Sequence, residues 1–243
     1  MMVVLRSTLF ALFQAALTIP FSFIALATFP FGFATRYRVI TVWTRLVLGA
    51  AERICGIRCR VLGAERLPAP PYIVLSKHQS AWETMAFQFI FPPQVWVVKR
   101  ELLWLPFFGW GLAMLAPIAI DRGSGARALR QMLEQGRDRL ARGICIVIFP
   151  EGTRVAPGER GEYQAGGAWL AAKTATPVVP VAHNSGEFWR RNAFLKYPGT
   201  ITVSIGTPIE TRGMTPEALN RKVEAWIENE MQRLGKHFSE PQR

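Results

Sequence analysis

Cysteine is scarce in this 243-residue chain, which has three, at Cys55, Cys59 and Cys145. An odd and widely spaced set argues against a disulfide framework. Cys55 and Cys59 have no further Cys or His at zinc-ligand spacing, so a reduced compartment and no metal are expected. Acid is scarce too: 17 Asp and Glu against 29 Lys and Arg leave a net charge of +12. A charge of that size suits an anionic partner, either nucleic acid or a membrane surface. The basic residues are scattered, and zinc-finger, RNP and helix-turn-helix signatures are missing, so nucleic acid is not expected. Internal repeats and low-complexity linkers are missing, and no G-x-S-x-G nucleophile elbow occurs.

Charge of either sign vanishes between Arg6 and Arg36. The run from Ser7 to Thr35 is longer than the roughly 20 residues a helix needs to cross a bilayer core. Half of all residues are hydrophobic and the mean hydropathy is +0.15, high for a freely soluble protein. Pro20 and Pro30 are expected to interrupt a single straight helix, leaving a segment that spans the bilayer or bends back within one leaflet. Arg36, Arg38, Arg45, Arg53, Arg58 and Arg60 follow it, whereas Arg6 alone precedes it. The positive-inside rule therefore puts the bulk of the chain in the cytoplasm. A cleaved secretory signal is the competing reading, because Ala25-Leu26-Ala27 resembles a cleavage site; against it, the apolar run continues through Phe29, Phe31 and Phe33. Tyr37 to Gly49 has the spacing of an interfacial or docking helix. Residues 1–50 are expected to form the membrane-anchoring helical segment and 51–243 the second unit.

That second unit reads as α/β, a central mixed sheet covered by helices. Ile57, Cys59 and Val61 alternate with Arg58 and Arg60 as in a half-exposed strand. Short continuous apolar runs follow at 72–75, 95–98, 144–149, 178–182 and 201–205, as buried strands have. Helical patterns fall at 81–90, 124–142 and 164–174, interleaved with the strands. A last helix opens with Thr215 as N-cap and Pro216 at the first position, and carries the stripe Leu219, Val223, Trp226, Ile227, Met231 and Leu234.

The chemistry-bearing stretch is SKHQSAWE, residues 76–83, where an apolar strand ends in a polar turn and a helix begins. Were both residues helical, five positions at about 100° each would set Glu83 roughly 140° around the axis from His78. His78 is therefore expected in the turn, folded back so that Glu83 accepts one imidazole N–H and leaves the other nitrogen to take a proton from a hydroxyl. The same letters are a capping box, in which Glu83 merely returns to the Ser80 N–H. Ser76 and Ser80 raise a serine-hydrolase alternative, but a serine two positions from its base in one turn is poorly placed. His183 reads as structural, and His237 lies in the tail.

Polar residues also follow other strands. FPEGTR at 149–154 offers a glycine for close backbone approach, the Thr153 hydroxyl, and Arg154, which can hold a phosphate bidentately. AIDR at 119–122 presents Arg122 beside Asp121, which supports the turn. KREL at 99–102 leads into the apolar stretch 103–110, charge beside aromatic surface, as a headgroup beside an acyl chain would need.

In this order HQSAWE, KREL, AIDR, FPEGTR and the later VPV at 179–181 resemble the glycerolipid acyltransferase family, most closely its bacterial 1-acyl-sn-glycerol-3-phosphate acyltransferases. The resemblance covers about residues 72–181. It implies that His78 is a general base on the free hydroxyl of a lysophospholipid, oriented by Glu83. The alkoxide attacks the thioester of acyl-CoA or acyl-carrier protein with no acyl-enzyme, giving phosphatidic acid. Lys99, Arg122, Glu151, Thr153 and Arg154 would hold the glycerol phosphate, with Gly152 letting the backbone come close. No cofactor is implied beyond the acyl donor, and the expected partners are the two substrates, acyl-carrier protein and the membrane. The inner (cytoplasmic) membrane of a bacterium is the implied location. One departure stands out: the family's usual acid is aspartate, and this chain has Glu83. Acceptors such as lyso-ornithine lipid are therefore the alternative substrate.

Overall fold

The computed structural model describes residues 1–236, apart from the side chains of Arg122 and Lys236; His237 lies outside the described residues. The strands are β1 (Ile57–Leu62), β2 (Ile73–Ser76), β3 (Gln94–Lys99), β4 (Ile118–Ile120), β5 (Cys145–Ile148), β6 (Val178–His183) and β7 (Gly199–Ile205). They form one sheet in the order β1-β7-β6-β2-β5-β3-β4. All neighbours run parallel except β6 and β7, so the sheet is mixed. β2, β5 and β6 are buried along their whole lengths. Central parallel strands are covered on both faces, which is why these three read as unbroken apolar runs. β1 lies at an edge with only Ile57 buried, so Arg58 and Arg60 stand in solvent there and blunt the edge against pairing.

The helices are α1 (Met2–Ala27), α2 (Phe33–Cys55), α3 (Trp82–Ile90), α4 (Phe108–Met114), α5 (Ala126–Ala141), α6 (Gly166–Thr174), α7 (Ser185–Phe188) and α8 (Pro216–Lys236). Two groups of them cover the sheet. Gly136 of α5 lies against Ile146, and Gly167 of α6 against Leu75 and Ile148; these strand residues share one face by the period-two alternation. On the other face Tyr72 packs edge-on to Phe91 and α2 is tied to α3. There the Tyr37 hydroxyl donates to the Gln88 carbonyl at 3.2 Å and Thr44 Oγ1 to Gln88 Oε1 at 3.0 Å. The Ala218 N–H donates to Thr215 Oγ1 at 3.2 Å, the expected cap, and Leu219, Val223 and Ile227 of α8 are fully buried.

The N-terminal segment is a helical hairpin. Its break falls at 28–32, around Pro30; α1 continues through Pro20. The sequence expectation of a second break at Pro20 therefore fails. Proline removes a single backbone donor, and here the packing of both halves of α1 outweighs that loss. Cys55 at the end of α2 donates its thiol to the Arg6 carbonyl near the start of α1 at 3.8 Å, so the two helices are antiparallel. Along its length α1 touches the rest of the protein. The Lys196 N–H donates to Ser7 Oγ at 2.9 Å, Phe10 packs edge-on to Trp189 at 5.2 Å, and Phe23 meets Phe107 and Trp110. The opposite side is apolar and exposed at Leu5, Leu9, Leu12 and Ile19. Among the described residues α1 is the one helix long and apolar enough to cross a membrane.

Gly199 shows how closely α7 is seated. Its φ is +153°, and a Cβ there would lie 2.0 Å from Phe188 Cε1. Gly199→Ala is expected to lower the melting temperature in detergent by roughly 5 °C or more, the scale of an overpacked core. An unchanged melting curve would contradict the seating of α7 against β7.

Candidate active site

Parallel strands share a direction, so whatever follows them collects at one edge of the sheet. Leu75 pairs with Ile148, Ser76 with Val181, and Lys99 with Ile120. The strand ends preceding His78, Phe149, His183, Lys99 and Arg122 therefore lie along one rim, although up to about a hundred positions separate them in the chain.

β2 delivers Lys77 and His78 into a turn that α3 closes. His78 Nδ1 lies 2.8 Å from Glu83 Oε1, the fold-back expected from the spacing. The same Oε1 accepts the Gln79 and Ser80 N–H groups at 2.9 and 2.8 Å, and Ser80 Oγ accepts the Trp82 N–H at 2.8 Å. The return of Glu83 to the Ser80 N–H and the His/Glu pair, weighed above as alternatives, are made by one oxygen. Glu83 is fully buried. Burial alone would raise its pKa; the hydrogen bonds from the His78 ring and the Ser80 N–H work against that, and the balance holds it well below the ordinary carboxylate range. An ionised acceptor obliges Nδ1 to carry the proton and leaves Nε2 the unprotonated nitrogen.

The ring plane is set by Phe149, which stacks on His78 at 3.9 Å between centroids and 14° between planes. The loop after β5 also grips the main chain: the His78 N–H donates to Glu151 Oε2 at 2.9 Å, and the Val155 N–H donates to the His78 carbonyl at 2.8 Å. Behind the turn, Lys77 is buried, with its ammonium 2.7 Å from Glu151 Oε1 and 3.0 Å from Glu228 Oε1 of α8. Glu151 has its pKa raised by burial, a rise that Lys77 partly offsets. Buried charges are tolerated only when paired in this way. His183 is structural: Nε2 donates to the Lys77 carbonyl at 2.8 Å, Nδ1 accepts the Ser185 N–H at 3.4 Å, and burial lowers its pKa so that it stays neutral.

His78 opens onto a cavity of about 470 Å³. Its apolar wall includes Phe21 of α1, Trp43 of α2, Met85 of α3 and Leu112 of α4, so the N-terminal hairpin forms part of the site. The polar part of the lining includes Lys99, Gly152, Thr153, Arg154, Arg191 and Asn192. Neither Lys99 nor Arg154 is ion-paired to a described carboxylate. Gly152 takes a φ of +65°, a conformation costly for residues with a Cβ, as the close approach in FPEGTR requires.

Of the residues singled out in the sequence, His78, Lys99, Gly152, Thr153 and Arg154 thus line one cavity. Glu151, expected to help hold the glycerol phosphate, turns its carboxylate inward to Lys77 and the His78 N–H. Arg122 sits in the short turn after β4, and its side chain lies outside the described residues; Asp121 Oδ1 accepts the Gly123 N–H at 3.1 Å, supporting that turn. Arg191 and Asn192 were missed. The Arg191 guanidinium donates to the Arg154 carbonyl at 2.9 Å, and the only sequence hint was the Arg190-Arg191 pair following β6. Ser76 and Ser80 give no support to a hydrolase: the first donates to the Lys77 carbonyl and the second serves the Trp82 N–H. Among the described residues no cluster of His, Cys, Asp and Glu could hold a metal ion.

A protein-family model named Acyltransferase matches residues 58–184, more than half of the chain. This chain belongs to the glycerolipid acyltransferase family. Within the family it is 45% identical over 203 residues to the 1-acyl-sn-glycerol-3-phosphate acyltransferase of Pseudomonas aeruginosa, covering 82% of this chain and 79% of that one. Identity to the 1-acyl-sn-glycerol-3-phosphate acyltransferase alpha of Mus musculus is 32%, over 71% of this chain and 62% of the mouse protein. The crystal structure of the 1-acyl-sn-glycerophosphate (LPA) acyltransferase from Thermotoga maritima superposes with a TM-score of 0.80, covering 98% of this chain and 97% of that one at 21% identity. At that identity the likeness establishes the fold, hairpin included.

An ionised Glu83 has a stability signature. A carboxylate whose folded pKa is depressed stabilises the fold fully above its unfolded value of about 4.3, and the contribution is lost as pH falls towards the folded value. The gap in melting temperature between wild type and Glu83→Gln is therefore expected to be full at neutral pH and to narrow below about pH 4.3. A gap that stays constant down to pH 3 would contradict an ionised Glu83.

Proposed function

We propose that this protein is a membrane-associated O-acyltransferase that moves a fatty acyl group from acyl-CoA or acyl-carrier protein to the free hydroxyl of 1-acyl-sn-glycerol-3-phosphate, giving phosphatidic acid. The observation that carries the reading is the single cavity in which an oriented base, His78, faces both an apolar wall and uncommitted cations. A lysophosphatidate has the matching parts: a hydroxyl, an acyl chain and a phosphate. The Pseudomonas relative bears the name of this reaction, and the family membership supports the same chemistry.

In this reading His78 Nε2 takes the acceptor's hydroxyl proton as that oxygen attacks the thioester carbonyl. The tetrahedral intermediate then collapses, the C–S bond breaks, and the imidazolium returns the proton to the leaving thiolate. Atoms and charge balance with no covalent enzyme intermediate, consistent with the engagement of Ser76 and Ser80 elsewhere. Glu83 stabilises the imidazolium electrostatically and keeps the ring from flipping. Lys99, Thr153 and Arg154 bind the phosphate, with Arg191 holding the Arg154 main chain beside them; Arg122 is assigned the same role from its motif. The exposed apolar side of α1 lies in the lipid of the inner membrane, and the arginines that follow it keep the catalytic domain on the cytoplasmic side. Residues 51–243 form the catalytic unit in this reading, with the hairpin as its anchor.

The test is acyl transfer by purified, detergent-solubilised protein, offering oleoyl-CoA and acyl-carrier protein with a panel of lysolipids. Product from lysophosphatidate is expected, with His78→Ala lowering kcat by roughly a hundredfold or more, the usual worth of a general base. Arg154→Ala should raise KM for lysophosphatidate about tenfold with a smaller change in kcat. Product from lyso-ornithine lipid alone would move the acceptor while keeping the mechanism. A fully active His78→Ala would overturn the mechanism itself.

A further inference from the structure

The four donors on Glu83 come from two places. Oε1 takes three from its own turn, the His78 ring and the Gln79 and Ser80 N–H groups. Oε2 takes one from far along the chain, the Ser185 hydroxyl at 2.9 Å. Ser185 is fully buried, as is Glu83, so the second oxygen has been provided with a partner away from water. We propose that Ser185 is a positioning residue for the His78–Glu83 pair, fixing the carboxylate plane so that Oε1 stays on His78 Nδ1 through the proton transfer. This rests on the reading of His78 as the base.

The segment bearing Ser185 is built to hold that hydroxyl in place. Asn184 Oδ1 accepts the Thr202 N–H of β7 at 2.8 Å, and the Ser185 carbonyl accepts the Trp189 N–H at 2.9 Å. The segment touches the His78 turn at three points: His183 on the Lys77 carbonyl, Ser185 on Glu83, and the Gly186 N–H on Gln79 Oε1 at 3.1 Å. The loop after β5 grips the same turn through Glu151 and Val155. His78 is therefore held between the ends of β5 and β6, and among the described residues Ser185 is the side chain from the β6 side that hydrogen-bonds the carboxylate.

Three donors hold Oε1 as a point, but coordinated changes of the side-chain torsions can still pivot the carboxylate about that oxygen. A hydroxyl on Oε2 removes that freedom and satisfies an acceptor that would otherwise be buried alone. The arrangement superficially resembles a Ser-Glu-His hydrolase constellation, but its order is reversed. The serine proton is committed to the acid, the hydroxyl is remote from solvent, and nothing leaves it free to attack an acyl group. The contact also suits the length of the side chain: an aspartate at 83 is one bond, about 1.5 Å, shorter.

The experiment is a kinetic cycle of Ser185→Ala, Glu83→Ala and the double variant, with His78→Ala as the control for the underlying mechanism. Ser185→Ala is expected to lower kcat about tenfold with KM for both substrates within about twofold. Ser185→Thr, which keeps the hydroxyl, should recover most of the rate. In the Glu83→Ala background, where nothing remains for the hydroxyl to hold, Ser185→Ala should cost less than about twofold. Wild-type kcat in Ser185→Ala, or an equal loss with and without Glu83, would overturn the proposal while an inactive His78→Ala leaves the acyl-transfer mechanism standing. If His78→Ala is itself active, the failure lies in that mechanism instead. Should alanine at 185 prevent folding, Ser185→Cys keeps the volume with a weak donor; reduced kcat at unchanged KM supports the role, and full kcat overturns it.

Discussion

One buried carboxylate organises this site. Removing Glu83 from water would be costly if its charge were left bare, and the fold supplies four hydrogen bonds to keep it ionised. Two of those donors are the Gln79 and Ser80 N–H groups of the turn just ahead of α3. The buried turn needs an acceptor, the acceptor needs donors, and His78 is drawn into the same small cluster. The oxygen that holds the turn is the one that meets His78, so the return of Glu83 to the Ser80 N–H does not count against the functional reading of the motif.

Sheet topology does the rest. The turns after β2, β5 and β6 come together because those strands are parallel neighbours, and each contributes something different. The β2 turn carries His78, the proposed base. The β5 turn supplies Phe149 to set the ring plane and Glu151 to hold the His78 main chain, then Gly152 to Arg154 to line the cavity. Lys77 carries the support deeper, because its contact with Glu228 ties the His78 turn to α8 on the far side of the core. Helix α8, which reads in sequence as plain packing, thereby reaches to within one ion pair of the His78 turn. The N-terminal hairpin is equally involved, since α1 and α2 form part of the cavity wall.

Much of this was legible in the sequence because the signals were local. Buried parallel strands announce themselves as short apolar runs, and the Thr215-Pro216 start of α8 is a backbone requirement written in two letters. The His78–Glu83 contact followed from helical geometry over five positions. What was not legible depends on distance or on direction. Ser185 meets Glu83 across 102 positions, with no periodicity to link them. Arg191 and Asn192 belong to a loop whose course the strand pattern does not determine. Glu151 was placed with its motif neighbours because adjacent letters carry no sign of which side chain turns inward; burial beside Lys77 decided it. Pro20 was read as a break because propensity is local, whereas the packing that keeps α1 continuous is tertiary.

The account stands on the tautomer that Glu83 imposes. With three histidines in the chain, ¹⁵N-histidine NMR of the protein in detergent, assigned with His78→Ala, observes it directly. In its neutral form the His78 ring is predicted to carry its proton on Nδ1, with Nε2 unprotonated, and to lose that fixed state in Glu83→Ala, which removes the acceptor. A neutral His78 protonated on Nε2, or one unchanged by Glu83→Ala, would contradict the account.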